Sequence, residues 1–121
     1  MIFCYLSAYC GAVSAAAGAG CGICWLKGGG YQEIASVITN TIGTVGGMAC
    51  DGAKSSCAGK ISVAIETALM ANEMAAHQNV YRYGEGLVKQ DVEKTIVAYG
   101  RMAAEGMKST DVEILNIMLE D

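Results

Sequence analysis

Cysteines are the residues of this 121-residue chain best suited to chemistry. Thiols at such density form disulfides, bind metal or act as nucleophiles. No Lys or Arg precedes the apolar N-terminal stretch, as a secretory signal would require, so we predict a cytoplasmic protein. The reducing cytosol favours metal binding or catalysis over disulfides. The six thiols belong to Cys4, Cys10, Cys21, Cys24, Cys50 and Cys57.

The first half of the chain offers two competing sets of ligands. Cys21 and Cys24 form a CxxC motif, but its flanks are apolar and no second pair at zinc-ribbon spacing follows, so two small buried hydrophobes explain it as well. If residues 10–24 formed one helix, Cys10 and Cys21 would lie about 16 Å apart along its axis. One metal centre would then take either Cys10 or the CxxC pair, and spacing leaves that choice open.

Cys50 and Cys57 flank a polar loop that precedes a predicted helix. The free N–H groups and the positive dipole end of a helix N-terminus stabilise thiolates, and Lys54 adds a positive charge between the two cysteines. Glycines before the loop allow the backbone to approach a bulky ligand. These features suit an iron–sulfur cluster, which needs thiolates and N–H donors to its sulfurs.

The elements that must position these cysteines are predicted to be helices, because no alternating strand pattern of useful length appears. The fold class is therefore all-α, a compact bundle of about five helices with glycine-rich breaks that forms part of a larger helical catalytic domain. On the third helix, the inner stripe is predicted to be Ile61, Ala64, Ile65, Ala68 and Leu69. Thr110 and Glu113 predict a capping box for the last helix. The other helices are predicted over residues 2–17, 31–45, 57–77 and 90–104, with a connecting loop at 78–89.

Composition excludes several function classes. Eight basic and twelve acidic side chains leave a net charge of −4 without a basic stripe, so nucleic acid is not an expected partner. The uncharged stretch of residues 1–26 is long enough to span a bilayer, but its centre is Ala, Gly and Ser, which favours helices packed closely inside a protein. We therefore expect no membrane association. A membrane-associated bundle of helices is kept as the third hypothesis. A single histidine, His77, makes a catalytic triad improbable.

One segment resembles a known family. Residues 47–60, GMACDGAKSSCAGK, are similar to the signature of the L-serine dehydratase alpha-chain-like family, in its L-cysteine desulfidase branch. Residues 6–16 resemble the family's cysteine-bearing helix, and residues 25–29 resemble its glycine break. Segments between residues 92 and 119 follow its C-terminal pattern, so the resemblance covers essentially the whole chain.

The resemblance implies an oxygen-sensitive [4Fe–4S] cluster and β-elimination from an amino acid without pyridoxal phosphate. L-Cysteine would give pyruvate, ammonia and sulfide, whereas L-serine would release water. By this resemblance the cluster ligands are Cys10, Cys50 and Cys57, which selects against the CxxC pair. Asp51 and Lys54 would lie just outside the ligands, where they orient the substrate or tune the cluster.

Members of that family are several times longer than this chain. The resemblance therefore implies that residues 1–121 are a single domain or a C-terminal fragment of an iron–sulfur lyase catalytic domain. The chain would be inactive alone and would need the N-terminal half or a partner chain; homo-oligomerisation is a further possibility. Gly59 departs from the larger apolar residue usual in the family. The alternative hypothesis is a non-catalytic iron–sulfur or metal-binding helical subunit that completes a site with a partner.

Overall fold

A computed structural model describes residues 8–120 of the chain. Within that range the fold consists of helices joined by loops, the longest of which covers residues 77–91, and a single β-bridge pairs Tyr9 with Ala49. The predicted all-α bundle of about five helices is confirmed. No helix among these residues is both long and apolar enough to cross a membrane. The helices are α1 (Gly11–Leu26), α2 (Tyr31–Val45), α3 (Ser55–Ala76), α4 (Val92–Arg101) and α5 (Lys108–Leu119), and a π-helical turn (Met102–Gly106) joins α4 to α5.

Helices α1, α2 and α3 pack against one another through small residues. A Cβ atom placed on Gly20 would lie 3.0 Å from Val37 Cγ1 and 3.1 Å from Ala68 Cβ, so the three helices meet at this glycine. Asn72 lies beside it and donates a buried hydrogen bond of 3.1 Å from Nδ2 to the Gly20 carbonyl. The density of Ala and Gly in α1 therefore serves close helix packing, as the composition predicted.

A second cluster joins α4 and the π-helical turn to the first two helices. Its buried side chains include Tyr9, Val13, Ile42, Tyr99 and Ala103. Gly46, which ends α2, lies so close to the Tyr99 ring that an added Cβ would be 2.6 Å from it. This cluster covers the short bridge between residues 9 and 49, and it therefore holds the two cysteine-bearing segments together.

Helix α1 differs from its prediction at both ends. It begins at Gly11 rather than at residue 2, because residues 9 and 10 are extended and pair with residues 48 and 49. The beginning of the predicted helix, residues 2–7, lies outside the described residues, as does Cys4. The helix continues through Gly18 and Gly22 to Leu26 and ends before Gly28, whose φ of +88° suits a glycine. Each glycine in a helix costs only about 1 kcal/mol relative to alanine, which the packing around Gly20 outweighs.

The later boundaries show one agreement and two corrections. The prediction for α2 over residues 31–45 is confirmed. The predicted capping box at Thr110 and Glu113 is wrong, because α5 already begins at Lys108 with Met107 at its N-cap. The predicted fourth helix, 90–104, ends at Arg101, where the π-helical turn starts. Met107 joins that turn to α5 with a backbone close to helical, and no side chain caps the start of α5.

The predicted inner stripe of α3 is correct at two of its five positions. Ala64 and Ala68 are fully buried against α1, but Ile61, Ile65 and Leu69 are exposed. The reason is geometric: α1 approaches α3 closely enough only where the facing side chains are small, which leaves the larger residues at the edge of the contact. Helix α5 likewise leaves its apolar residues uncovered, since none of its residues is buried.

Candidate metal centre

The two-residue bridge brings Cys10 and Cys50 together from opposite ends of the α1–α2 hairpin. The Cys10 N–H donates to the Met48 carbonyl at 2.8 Å, and the Cys50 N–H donates to the Ala8 carbonyl. Both cysteines follow a bridged residue, Tyr9 or Ala49, so their side chains lie on the same face of the bridge. Diagonal neighbours of this kind are about 7–8 Å apart. Two of the three predicted ligands are therefore neighbours in space.

Cys57 approaches the same place from α3. It is the third residue of that helix, and its Sγ donates a 3.1 Å hydrogen bond to the Gly52 carbonyl of the intervening loop. Gly52 has a φ of +96°, which favours glycine and turns the chain between Cys50 and the helix. The loop residues that follow Cys50 are therefore tied back to the first turn of α3.

Cys10 and Cys57 line one cavity of about 530 Å³ between α1 and α3. Cys10 is almost fully buried at the start of α1, and Cys57 is half-buried. The rest of the cavity is apolar and carries no charged side chain; its lining is completed by Gly11, Ala12, Ala15, Ala16, Ala19, Ile61 and Ile65. Thiols in such surroundings are accessible to a bulky ligand through the open side of the cavity.

Asp51 forms ion pairs with two lysines beside the cysteines. Its Oδ2 lies 2.8 Å from Lys54 Nζ, and its Oδ1 lies 2.6 Å from Lys60 Nζ. The hydrogen bonds from Lys54 and Lys60 lower the pKa of Asp51 to about 2. The carboxyl group is therefore ionised at neutral pH and is poorly suited to accept a proton. The Asp51 carboxylate instead holds the ammonium groups of Lys54 and Lys60 beside the cysteine loop.

Sequence reasoning missed Lys60 as a residue of this site. Its ammonium also donates to the Ala49 carbonyl at 2.9 Å, and it interacts electrostatically with the Cys57 and Cys10 thiols. The hydrogen bond to Asp51 raises the pKa of Lys60, so the group stays protonated. The available signal was its spacing: Lys60 follows Cys57 by three residues and therefore shares its face of α3.

The CxxC pair lies away from Cys10, Cys50 and Cys57. Cys21 and Cys24 are near the C-terminal end of α1, whereas Cys10 is at its N-cap. Cys24 is buried with Val37 and Ala71, and burial raises the pKa of both thiols. Raised pKa values disfavour the thiolates that bind metal. Cys24 matches the interpretation of the pair as small buried hydrophobes, whereas Cys21 is only half-buried.

The predicted cluster can be tested against the donors present. All five cysteines among residues 8–120 are free thiols. No three Cys, His, Asp or Glu side chains of that range converge on the position of a single metal ion. A four-iron cluster does not require such convergence, because each thiolate binds a different iron. Cys10 and Cys57 line one apolar cavity and Cys50 is a neighbour of Cys10 across the β-bridge, so the thiols present are of the kind that hold a cluster.

The family of the chain follows from comparison with known proteins. The serine dehydratase alpha chain family matches residues 3–116. The chain belongs to that family. The described part of the match contains Cys10, Cys50 and Cys57, so the metal-centre candidates lie within the region that defines membership.

The curated relatives compared are 42–50% identical to the chain, and all of them are longer. A UPF0597 protein of Treponema denticola is 50% identical over 116 residues, which cover 96% of this chain and 27% of the relative. UPF0597 proteins of Lachnoclostridium phytofermentans and Desulfitobacterium hafniense are 50% and 47% identical over 114 residues, covering 94% of this chain and 27% and 26% of theirs. The chain thus spans about a quarter of their length. No solved structure matches it.

Proposed function

We propose that the chain is the cysteine-bearing part of a [4Fe–4S]-dependent lyase that eliminates the β-substituent of L-cysteine or L-serine. The observation that carries this proposal is that Cys10 and Cys57 line one apolar cavity, while the β-bridge makes Cys50 a neighbour of Cys10 and the Cys57 thiol donates to Gly52 in the loop after Cys50. Membership of the serine dehydratase alpha chain family supports it. With L-cysteine, uptake of one water gives pyruvate, ammonia and sulfide; with L-serine, the water released in the elimination is consumed again.

In this proposal Cys10, Cys50 and Cys57 would hold the cluster, which when bound would supply Lewis-acid chemistry toward the amino acid. The chain's own charged residues then have distinct tasks. Lys54 is partly exposed at 2.8 Å from Asp51 and is suited to attract the carboxylate of an amino acid. Lys60, which is less exposed, keeps the loop that bears Cys50 in place. Asp51 positions both ammonium groups and is not the proton acceptor.

We assign the rest of the site to polypeptide outside residues 1–121. Among residues 8–120, no carboxylate, histidine or lysine lines the cavity, and the pKa of Asp51, lowered to about 2 by hydrogen bonds from its two lysines, makes that carboxylate a weak base for the α-proton. The curated relatives carry about three quarters of their length outside the matched region. We therefore propose that this remaining portion supplies the base and most of the substrate contacts.

A second candidate is a non-catalytic iron–sulfur or metal-binding subunit that completes a site with a partner chain. The open side of the cavity favours it, because Cys10 and Cys57 are reachable there without a substrate pocket around them. The two candidates share the cluster and differ only in catalysis. Pyruvate formation from L-cysteine or L-serine, after the remaining portion is added, separates them.

The cluster is tested by anaerobic reconstitution of the purified chain with iron and sulfide. Iron content and broad visible absorbance are measured for the wild type and for Cys10→Ala, Cys50→Ala and Cys57→Ala, with Cys21→Ala as the matched control. We expect the control to retain the cluster and each of the other three variants to lose most of the iron. Iron bound equally by all four variants would contradict the ligand assignment.

A further inference from the structure

The cysteine cavity is an apolar groove between α1 and α3. One wall contains Ile61 and Ile65, and Leu69 continues the same row along α3 at the same interval of four residues. Ile61 is 55% exposed and Leu69 is 46% exposed. Single exposed apolar side chains are common, but a continuous apolar surface of this kind marks an interaction site.

The shape of the groove suits a helix. Its floor is formed by Ala12, Ala15 and Ala19 of α1, whose small side chains permit close approach, while Ile61 and Ile65 rise beside them. Ridges of large residues beside a row of small ones are the arrangement into which another helix packs. An amphipathic helix bound in a hydrophobic groove is also a common mode of protein recognition.

The charge distribution restricts the occupant further. No charged side chain lines the groove, so an acidic or basic peptide would gain no ion pair there. Helix α5 adds further exposed apolar residues, among them Leu115 and Leu119, and a Cβ atom placed on Gly52 of the cysteine loop would lie 3.7 Å from Met118 Cε of that helix. The groove and the apolar residues of α5 therefore lie near the same loop. A partner polypeptide with a large apolar surface would cover both.

We propose that the groove binds an apolar helix of the polypeptide that makes up the other three quarters of the relatives' length. The occupant is argued from that length, since the matched 116 residues are 27% of the Treponema denticola relative. A helix in the groove lies over Cys10 and Cys57 and excludes water from them. The inference rests on the proposed function only for the role of those thiols; the docking itself needs no cluster.

The test is co-expression of this chain, tagged, with the untagged remainder of the Treponema denticola relative. We expect the wild-type chain to retain the remainder in near-equal amount and Ile65→Glu to retain at least tenfold less. Val97→Glu is the matched control, because Val97 is exposed on α4 among charged residues and outside the groove. Circular dichroism and the urea unfolding midpoint of each variant alone check that the fold is unchanged.

Failure of the wild-type chain to retain the remainder would overturn the proposal, and so would equal retention by Ile65→Glu. A wild-type dimer that Ile65→Glu dissociates would identify a second copy as the occupant. Binding to phosphatidylglycerol vesicles that depends on Ile65 would identify a membrane instead. Iron content is measured on the same samples: retention without iron supports the docking and contradicts the proposed function, whereas iron without retention contradicts the docking alone.

Discussion

Lys60 Nζ lies 2.6 Å from Oδ1 of Asp51 and so ties the second turn of α3 to the residue that follows Cys50. The same ammonium donates to the Ala49 carbonyl, so it holds both neighbours of Cys50 at once. Cys57 lies one helical turn before Lys60. A single side chain thereby fixes the relative position of two candidate cluster ligands, which the proposed cluster requires before it can form.

Replacement of Lys60 by Met is expected to loosen the Cys50 loop, because both hydrogen bonds to it are lost. We predict that the reconstituted iron content of Lys60→Met falls severalfold, while Lys54→Met, which removes one ion pair but leaves the Ala49 contact, retains most of the iron. Iron content by colorimetric assay and visible absorbance are the measurements. Wild-type iron binding by Lys60→Met would show that the tie is dispensable.

Asp51 predicts a defined loss of stability in acid. Its pKa is about 2 in the folded chain, below its ordinary value of 3.8, because Lys54 and Lys60 donate to it. A lowered pKa contributes stability that is complete above pH 3.8 and is lost as the pH falls through about 2. The urea midpoint of Asp51→Asn should therefore lie below that of the wild type at pH 5, with the gap closing toward pH 2.

The matched control for this pH series is Glu113→Gln, which removes an exposed carboxyl group on α5 and changes the net charge equally. Its difference from the wild type should be smaller at pH 5 than that of Asp51→Asn. A gap between wild type and Asp51→Asn that stays constant from pH 5 to pH 2 would contradict the ion-pair interpretation.

Gly20 and Gly22 should respond in opposite directions to alanine. A Cβ at Gly20 would lie 3.0 Å from Val37 and 3.1 Å from Ala68, so Gly20→Ala forces α1, α2 and α3 apart and should destabilise the fold by about 1–3 kcal/mol. Gly22 is exposed in the same helix, and no described atom lies near a Cβ there, so Gly22→Ala should stabilise by about 0.5–1 kcal/mol. Urea unfolding measures both; equal effects would contradict the packing described.

Asn40 secures the long connection between α3 and α4. Its Nδ2 donates to the Asn79 carbonyl and its Oδ1 accepts from the Tyr81 N–H, each at 3.1 Å. Asn40→Ala leaves both backbone groups without these partners, which should lower the free energy of unfolding by about 1–3 kcal/mol. Ser36→Ala, which removes an exposed hydrogen bond within α2, should change it by less than about 0.5 kcal/mol.

Some patterns of local origin were predicted correctly from the sequence, although the capping box at Thr110 and Glu113 was not. The bounds of α2 followed from apolar residues at helical spacing between a glycine triplet and a glycine pair, since consecutive glycines favour the end of a helix. The cysteine loop followed from the chemistry of its residue types. Selection of Cys10 over the CxxC pair came from the family resemblance, because helical spacing treats the two sets alike.

Only the tertiary structure decided which cysteines are neighbours and which apolar residues are buried. Cys10 and Cys50 meet through a β-bridge between segments 40 positions apart, and no local pattern reports such a pairing. Ala64 and Ala68 are buried while Ile61 and Leu69 are exposed, although all four share the spacing that predicts burial. Periodicity identifies an apolar face of a helix, whereas the distance of closest approach to α1 determines how much of that face this chain covers.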